Sequence, residues 1–119
     1  MTEYQNIAQR YVDTWNETDP AKRRLLVDEL FTVDVTFTDP MTTVVGTDAV
    51  DAFVAGAQAQ FEGLVFGLGP VDGHHDLARF TWTLSAPDAD EPLVVGFDVV
   101  RIDDGRIADV RGFLDKVPA

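Results

Sequence analysis

Two aspartates lie where the hydrophobic pattern predicts a buried environment. Asp39 shares the inward face of an alternating segment with Val33, Val35 and Phe37. Asp98 interrupts the apolar run at residues 93–100. Burying a carboxylate is costly unless partners offset the lost hydration. Burial also raises the pKa of a carboxyl group, so we expect Asp98 to be largely protonated at pH 7 and able to donate a hydrogen bond. Asp39, nearer the mouth of a pocket, would stay ionised as a general base.

Both aspartates also have structural interpretations, which the sequence leaves open. Asp39 precedes Pro40, and Asp-Pro pairs are common where a strand ends in a turn. Asp98 could serve instead as a hydrogen-bonding partner for the backbone or at a subunit interface.

Aromatic side chains recur on the predicted faces that carry these acids. Tyr11 and Trp15 are one helical turn apart, and Phe80 and Trp82 alternate along a strand. Such stripes are typical of a core, and they become candidate ligand contacts because two carboxylates are predicted to face the same cavity. The residues that we expect to line this cavity are Trp15, Phe37, Phe53, Phe80, Trp82, Val110 and Leu114.

Other chemistry-bearing patterns have simpler interpretations. His74-His75-Asp76 falls in a predicted turn, where neighbouring histidines point to opposite sides, so we expect no metal there. The absence of cysteine excludes disulfides, thiolate metal sites and cysteine nucleophiles. No phosphate-binding loop or serine nucleophile motif is present. We therefore predict a site without a metal or an organic cofactor.

Composition narrows the class of protein. The chain has 119 residues and a net charge of −12, which disfavours nucleic acids and anionic lipids as partners. No apolar run reaches the roughly 20 residues that span a bilayer, and the first ten residues lack the apolar core of a signal peptide. We expect a single domain over residues 1–119 in the cytoplasm.

Three helices are predicted before the main run of strands. Residues 2–5 form a capping box, and an apolar stripe over residues 4–15 has helical spacing. Asp19-Pro20 begins a second helix that runs to about Phe31. Its buried residues are expected to be Leu25, Leu26 and Leu30. Gly46-Thr47 opens a third helix, whose buried stripe is expected to be Val50, Phe53, Val54, Ala57 and Phe61.

The remaining segments alternate with a period of two residues. Strands are predicted at residues 33–39, 64–71, 77–84, 93–102 and 106–114, with a tight hairpin turn at residues 103–105. The order α-α-β-α-β-β-β-β predicts an α+β fold, in which a curved, mainly antiparallel sheet wraps around the three helices. Such a sheet leaves a cone-shaped interior that suits a ligand.

The outer face of the sheet has no predicted cover. Its apolar residues are expected to be Val65, Val95, Phe97, Ile107 and Phe113, beside Arg79 and Thr81. A large, half-apolar exposed face usually marks an interface, so we expect a homodimer packed sheet to sheet.

Segments along nearly the whole chain resemble one known superfamily. Taken in order, residues 9–12, 35–40, 46–53, 69–71 and 97–107 resemble the nuclear transport factor 2-like superfamily, in its SnoaL-like and ketosteroid isomerase-like branch. The resemblance implies a cystatin-like α+β barrel and a sheet-to-sheet homodimer.

The resemblance also implies roles for three residues. In ketosteroid isomerase a helix-1 tyrosine and a protonated aspartic acid form the oxyanion hole, and a second aspartate shuttles the proton. The matching motifs place these roles on Tyr11, Asp98 and Asp39. Trp15 and Trp82 would fill space that a steroid requires, so we do not expect a steroid substrate.

The sequence thus predicts a pocket for a small apolar molecule that bears a carbonyl or enol group. As an enzyme it would transfer a proton next to the carbonyl, which leads to isomerisation or aldol-type cyclisation. The alternative is a non-catalytic ligand-binding or dimerisation module, in which the carboxylates serve structure. A pH-dependent activity on an activated ketone would favour the enzyme. Ligand binding that is unaffected by Asp39→Asn would favour the binding module.

Overall fold

A computed structural model describes residues 2–118 as three helices and one six-stranded sheet. The helices are α1 (Glu3–Asn16), α2 (Pro20–Leu30) and α3 (Thr47–Gln60); the strands are β1 (Phe31–Thr38), β2 (Thr43–Val45), β3 (Val65–His74), β4 (Leu77–Ser85), β5 (Val94–Asp103) and β6 (Arg106–Lys116). The strand order is β2-β1-β6-β5-β4-β3, and only the β1–β6 pair is parallel. The predicted α+β fold is confirmed. The sheet is open, because the edge strands β2 and β3 each pair with only one neighbouring strand and not with each other.

The predicted capping signals set the starts of α1 and α2. Thr2 Oγ1 accepts a hydrogen bond from the Gln5 backbone N–H at 3.1 Å, and Gln5 Oε1 accepts from the Thr2 N–H at 2.9 Å. Asp19 caps α2 through the Lys22 N–H at 2.9 Å. These bonds satisfy backbone donors that a helix start leaves free. None of the helices within residues 2–118 has the length and apolar character needed to cross a bilayer.

The buried face of α2 differs from the prediction. Arg23, Val27 and Leu30 form its buried face, whereas Leu25 is 63% exposed, so its predicted burial is wrong. The burial of a charged arginine places the helix in a different rotation from the one that the leucines alone suggested.

Buried Arg23 connects all three helices. Its Nε donates to Asp51 Oδ1 on α3 and its Nη1 donates to Gln58 Oε1, both at 2.9 Å. The Gln58 amide in turn donates to the backbone carbonyls of Trp15 at 3.0 Å and Glu17 at 2.7 Å. Because the last carbonyls of a helix lack partners within the helix, this network fixes the C-terminal end of α1.

Asn16 attaches the same end of α1 to the sheet. Its Nδ2 donates to the Phe66 carbonyl at 2.9 Å, and its Oδ1 accepts from the Phe66 N–H at 2.8 Å. The side chain therefore substitutes for a neighbouring strand at the start of β3, and it holds Phe66 against α1.

The short strand β2 is absent from the sequence prediction. It pairs antiparallel with β1 after a turn over residues 39–42, in which the Asp39 and Thr42 backbones exchange hydrogen bonds at 3.0 and 3.3 Å. Asp at the first turn position and Pro at the second are typical of this geometry. Three residues are too few to display an alternating pattern.

Irregular pairing moves two predicted residues to the opposite face. The β1–β6 register shifts between Phe31 and Thr36, and Val33 is 80% exposed. The β5–β6 register shifts between Arg101 and Ile102, and Ile107 is fully buried. An extra residue reverses the inward and outward alternation of a strand, so the predicted placements of Val33 inside and Ile107 outside are wrong.

Gly96 permits a close approach that shapes the interior. It pairs with Trp82 on β4, and an added Cβ would collide with the Trp82 indole and lie 2.7 Å from the Phe113 carbonyl oxygen. Trp82 therefore lies flat across the strand next to Asp98. By contrast, a Cβ added at Gly56 on α3 would meet no atom within 4 Å.

These two glycines should respond oppositely to the same substitution. Gly96→Ala should destabilise the fold by about 1–3 kcal/mol because it overpacks the Trp82 contact. Gly56→Ala should stabilise the fold by about 0.5–1 kcal/mol, because alanine favours a helix over glycine. Urea unfolding of both variants measures the difference. Equal effects of the same sign would contradict the close approach at Gly96.

Candidate active site

A cavity of about 250 Å³ lies between α1, α3 and the inner face of the sheet. Its wall is mainly aromatic and aliphatic, and carboxylates enter it from only two residues. The lining residues are Tyr11, Val12, Trp15, Phe37, Asp39, Met41, Phe53, Ala57, Gln60, Phe61, Phe66, Trp82, Leu84, Val94, Asp98, Gly112, Phe113, Leu114, Val117 and Pro118.

Most of the residues that the sequence suggested for the wall lie there. The predicted residues that contribute to the wall are Trp15, Phe37, Phe53, Trp82 and Leu114.

Phe80 and Val110 do not line the cavity, so this part of the prediction is wrong. Phe80 is 1% exposed and its ring lies edge-on against Tyr11, with 5.2 Å between the ring centroids. Val110 is fully buried in the core. Both residues belong to the buried hydrophobic core rather than to the cavity wall.

Several lining residues were not predicted. Phe66 alternates with Leu68 along β3, and this pattern could have indicated an inward side chain. Phe61 was predicted only as one residue of the buried face of α3. Val117 and Pro118 follow the last strand and carry no periodic signal.

Trp15 is the centre of the aromatic wall. Its ring lies 5.3 Å from Phe66, 6.0 Å from Phe53 and 6.1 Å from Phe37, measured between centroids. Phe66 also packs on Trp82 at 5.7 Å. Tilted and edge-on rings at these distances attract one another and restrain each other's rotamers.

Asp98 enters this apolar cavity from β5 and is only 3% exposed. The Trp82 indole N–H donates to its Oδ1 at 3.2 Å. Its cross-strand partner is Gly112 on β6. A Cβ at Gly112 would lie 2.7 Å from Asp98 Oδ1 and 3.5 Å from the Asp39 Cβ. Both aspartates therefore converge on a position that has no side chain to separate them.

Burial raises the pKa of Asp98 to about 6. Hydrogen bonding with Tyr11 and Trp82 lowers that pKa and the charge of Asp39 raises it, but both effects are smaller than burial. A group with a pKa of about 6 is partly ionised at pH 7. The direction of the shift agrees with the prediction, and largely complete protonation at pH 7 stays a prediction.

Tyr11 lies beside Asp98 and is 4% exposed. Burial raises its pKa well above the usual value, and the charge of Asp98 and hydrogen bonding to that carboxyl act in the same direction. The phenol is therefore neutral near pH 7 and remains a hydrogen-bond donor. The rotation of α1 thus directs Tyr11 toward Asp98.

Asp39 lies in the turn and also lines the cavity, so its position fits both of the interpretations that the sequence left open. Its Oδ1 accepts hydrogen bonds from the backbone N–H groups of Met41 at 2.9 Å and Thr42 at 3.0 Å, so it stabilises the β1–β2 turn. The same half-buried residue lines the cavity. Among the described residues, Oδ2 makes no hydrogen bond, which leaves one oxygen of the carboxylate for a ligand.

His74 and His75 are exposed at the β3–β4 turn and are not among the residues that line the cavity. The Tyr4 hydroxyl donates to the His75 carbonyl at 2.9 Å, which anchors the turn to α1. Within residues 2–118, no group of three His, Cys, Asp or Glu side chains has an arrangement that could hold a metal ion. The expectation of a metal-free turn stays a prediction.

The raised pKa of Asp98 should make stability depend on pH. Its folded-state pKa is raised from 3.8 to about 6, so between these values the folded protein retains a proton that the unfolded chain releases. Its contribution to stability is fully present below about pH 4 and is lost as pH rises through 6, by up to about 3 kcal/mol. Asp98→Asn should therefore match wild type at pH 4 and be more stable above pH 7.

Urea unfolding of both proteins from pH 4 to 8 tests this. Asp88→Asn, in an exposed loop, controls for removing one charge from an acidic protein. A stability difference between wild type and Asp98→Asn that is constant with pH would contradict the raised pKa.

Comparison with known proteins extends over most of the chain. The sequence profile of the SnoaL-like domain matches residues 8–110. A solved structure from Agrobacterium tumefaciens strain C58, named as an inferred isomerase of the SnoaL-like family, is 38% identical over 97% of this chain and 99% of its own, with a TM-score of 0.90. No curated protein matches the chain.

More distant structures share the fold. An inferred ketosteroid isomerase from Kribbella flavida is 18% identical over 98% of this chain and 81% of its own, with a TM-score of 0.73. An inferred polyketide cyclase from Sinorhizobium meliloti is 20% identical over 94% and 99% of the two chains, with a TM-score of 0.73. The resemblance noted in the sequence is confirmed, and the chain belongs to the SnoaL-like family, within the nuclear transport factor 2-like and ketosteroid isomerase-like fold.

Proposed function

We propose that this protein catalyses cofactor-free proton transfer next to the carbonyl group of a small apolar molecule, leading to isomerisation or aldol-type cyclisation. One observation carries the proposal: a buried Asp98 with a raised pKa lies beside neutral Tyr11, and Asp39 faces the same cavity across Gly112. The relative from Agrobacterium tumefaciens, named as an inferred isomerase, supports the same class of reaction.

In the proposed reaction, the free oxygen of Asp39 takes the proton from the carbon next to the carbonyl. The electron pair of that C–H bond forms an enolate, whose oxygen accepts hydrogen bonds from Tyr11 and protonated Asp98. Asp39 then returns the proton to a different carbon in an isomerisation. In a cyclisation, the enolate carbon attacks a second carbonyl of the same molecule, and the new alkoxide takes the proton. General base catalysis and oxyanion stabilisation are the two rate-enhancing effects.

Ligand binding should shift the protonation of Asp98. With a pKa of about 6, Asp98 is partly ionised in the unliganded site at pH 7, so a ligand that requires the protonated form must select it. A developing enolate next to Asp98 disfavours its ionised form. The pKa of Asp98 therefore rises as negative charge develops on the ligand oxygen. The protonated acid then hydrogen-bonds the transition state more strongly than the bound substrate.

The cavity volume bounds the substrate class. A cavity of about 150 Å³ holds benzene, and the cavity here is about 250 Å³. We therefore propose ligands with one or two rings, in agreement with the expectation that Trp15 and Trp82 exclude a steroid.

A non-catalytic binding module is the second candidate, and the turn bonds of Asp39 favour it. With Oδ1 held by two backbone N–H groups, Asp39 has a sufficient structural reason to be present. In this alternative the cavity binds the same small apolar molecules without transferring a proton.

We also propose that two copies of the chain associate through the outer face of the sheet, in the cytoplasm. Phe113 on β6 is 52% exposed and stacks on Phe97, with 5.1 Å between ring centroids and 13° between planes. Val65 on β3 adds exposed apolar surface to the same face. A second sheet would bury these side chains, and such burial favours association by about 25 cal/mol per Å² of apolar surface.

The catalytic proposal predicts that Asp39→Asn lowers the rate of proton transfer by roughly 10²- to 10⁴-fold, because the general base is lost. Exchange of the acidic C–H protons of 2-tetralone in D₂O, followed by NMR, measures this rate. Asp76→Asn, in the exposed β3–β4 turn, is the matched control and should exchange at the wild-type rate. Wild-type protein that gives no exchange above buffer would support the binding module instead.

The dimer proposal predicts a mass of two chains by light scattering at micromolar concentration. Phe113→Asp should shift the mass toward one chain, because it places a charge in the interface. Leu25→Asp removes a similarly exposed apolar side chain from α2, on a different surface, and should leave the mass unchanged. A wild-type mass of one chain would contradict the proposal.

A further inference from the structure

Trp15 carries a buried hydrogen-bond donor without an acceptor. The residue is 8% exposed, and its Nε1 makes no hydrogen bond with any of the described residues. Buried polar atoms in folded proteins nearly always have a partner, so an exception calls for an explanation. Gln58 fixes the Trp15 backbone and the surrounding rings fix its indole, so the N–H has little freedom to find an acceptor elsewhere.

The two tryptophans of the chain differ in this respect. Trp82 donates its indole N–H to Asp98. The rings of Trp15 and Tyr11 are neighbours, with 6.1 Å between their centroids. Burial has the largest effect on the Tyr11 pKa and raises it, whereas the Trp15 indole lowers it by a smaller amount. The Tyr11 oxygen is therefore a neighbouring acceptor for the Trp15 N–H.

We propose that Trp15 is a positioning residue, which donates its indole N–H to the Tyr11 oxygen when Tyr11 donates its own proton to the oxygen of a ligand. This inference rests on the proposed function, because it requires a ligand oxygen at Tyr11. A hydroxyl that donates a hydrogen bond becomes a better acceptor, since hydrogen bonds in a chain polarise one another. The Trp15–Tyr11–ligand chain thus strengthens only when the ligand carries an oxygen.

The proposed chain of donors also makes the site prefer ligands that carry an acceptor oxygen. One- or two-ring ligands with an acceptor oxygen complete the bond from Trp15, whereas hydrocarbons of the same shape leave the N–H unpaired. Sites built to pair a buried polar group discriminate strongly against analogues that lack the matching atom.

The test compares 2-naphthol with 2-methylnaphthalene, which has nearly the same shape. The chain contains two tryptophans, so the indole N–H region of a proton–nitrogen NMR spectrum should contain two signals, which Trp15→Phe assigns. We expect 2-naphthol to move the Trp15 signal downfield and 2-methylnaphthalene to leave it nearly unchanged. Trp15→Phe should weaken 2-naphthol binding by roughly 3- to 10-fold, the loss of about one hydrogen bond.

Further variants distinguish the loss of the N–H donor from a change in the shape of the cavity wall. Replacing Trp15 with benzothienylalanine keeps the ring shape but removes the N–H, and it should reproduce the selective loss of 2-naphthol affinity. Phe53→Leu changes the wall without removing a donor, and it should weaken both ligands equally. In a Tyr11→Phe background the effect of Trp15→Phe on 2-naphthol should disappear, because the two residues act in one chain.

The outcomes distinguish this inference from the proposed function. If wild type binds both ligands equally, the oxygen-binding end of the proposed function fails. If wild type prefers 2-naphthol and Tyr11→Phe removes that preference, but the Trp15 variants do not, only the role of Trp15 is overturned. A Trp15 effect that persists without the Tyr11 hydroxyl would also overturn it, since Trp15 would then contact the ligand directly.

Discussion

The burial of the Asp98 carboxyl is the constraint on which the site depends. A carboxylate in an apolar cavity is unfavourable unless it is neutralised or hydrogen-bonded, and the surrounding residues provide partners for it. Trp82 donates to it, and Gly96 leaves the space that lets the Trp82 indole lie there. Gly112 leaves the opposite side open toward Asp39. Burial raises the pKa of Asp98 more than these hydrogen bonds lower it, so the pKa is about 6. A pKa near neutral pH suits a group that takes part in acid–base catalysis.

The position of Tyr11 relative to this carboxyl depends on interactions outside the cavity. Arg23 and Gln58 hold the C-terminal end of α1 against α2 and α3, and Asn16 holds it against β3. A rotation of α1 would move Tyr11 and Trp15 together, because they lie one turn apart. The buried polar network between the helices therefore has a functional consequence, in that it sets the distance of two donors from the acid.

Much of the fold could be predicted from local patterns. The capping box and helical stripes located α1 and α3, and the alternating segments with the turn at residues 103–105 located the meander of β3 to β6. Local patterns failed where pairing register decides the outcome. The register shifts placed Val33 outside and Ile107 inside, and β2 was too short to produce an alternating pattern. Asp39 and Asp98 could be identified because charge on an apolar face is conspicuous in a sequence. The role of Gly112 could not, because it exists only through the pairing of β5 with β6.

The most direct test of the central claim is a titration of the Asp98 side chain by carboxyl-carbon NMR, with and without 2-naphthol. A buried acid in an apolar cavity should titrate with a midpoint near the pKa of about 6. The midpoint should rise when 2-naphthol binds, because the ligand excludes water from the carboxyl and the neutral acid can donate a hydrogen bond to the ligand oxygen. A midpoint near the ordinary aspartate value of about 4, unchanged by the ligand, would contradict the claim that Asp98 is the acid of this site.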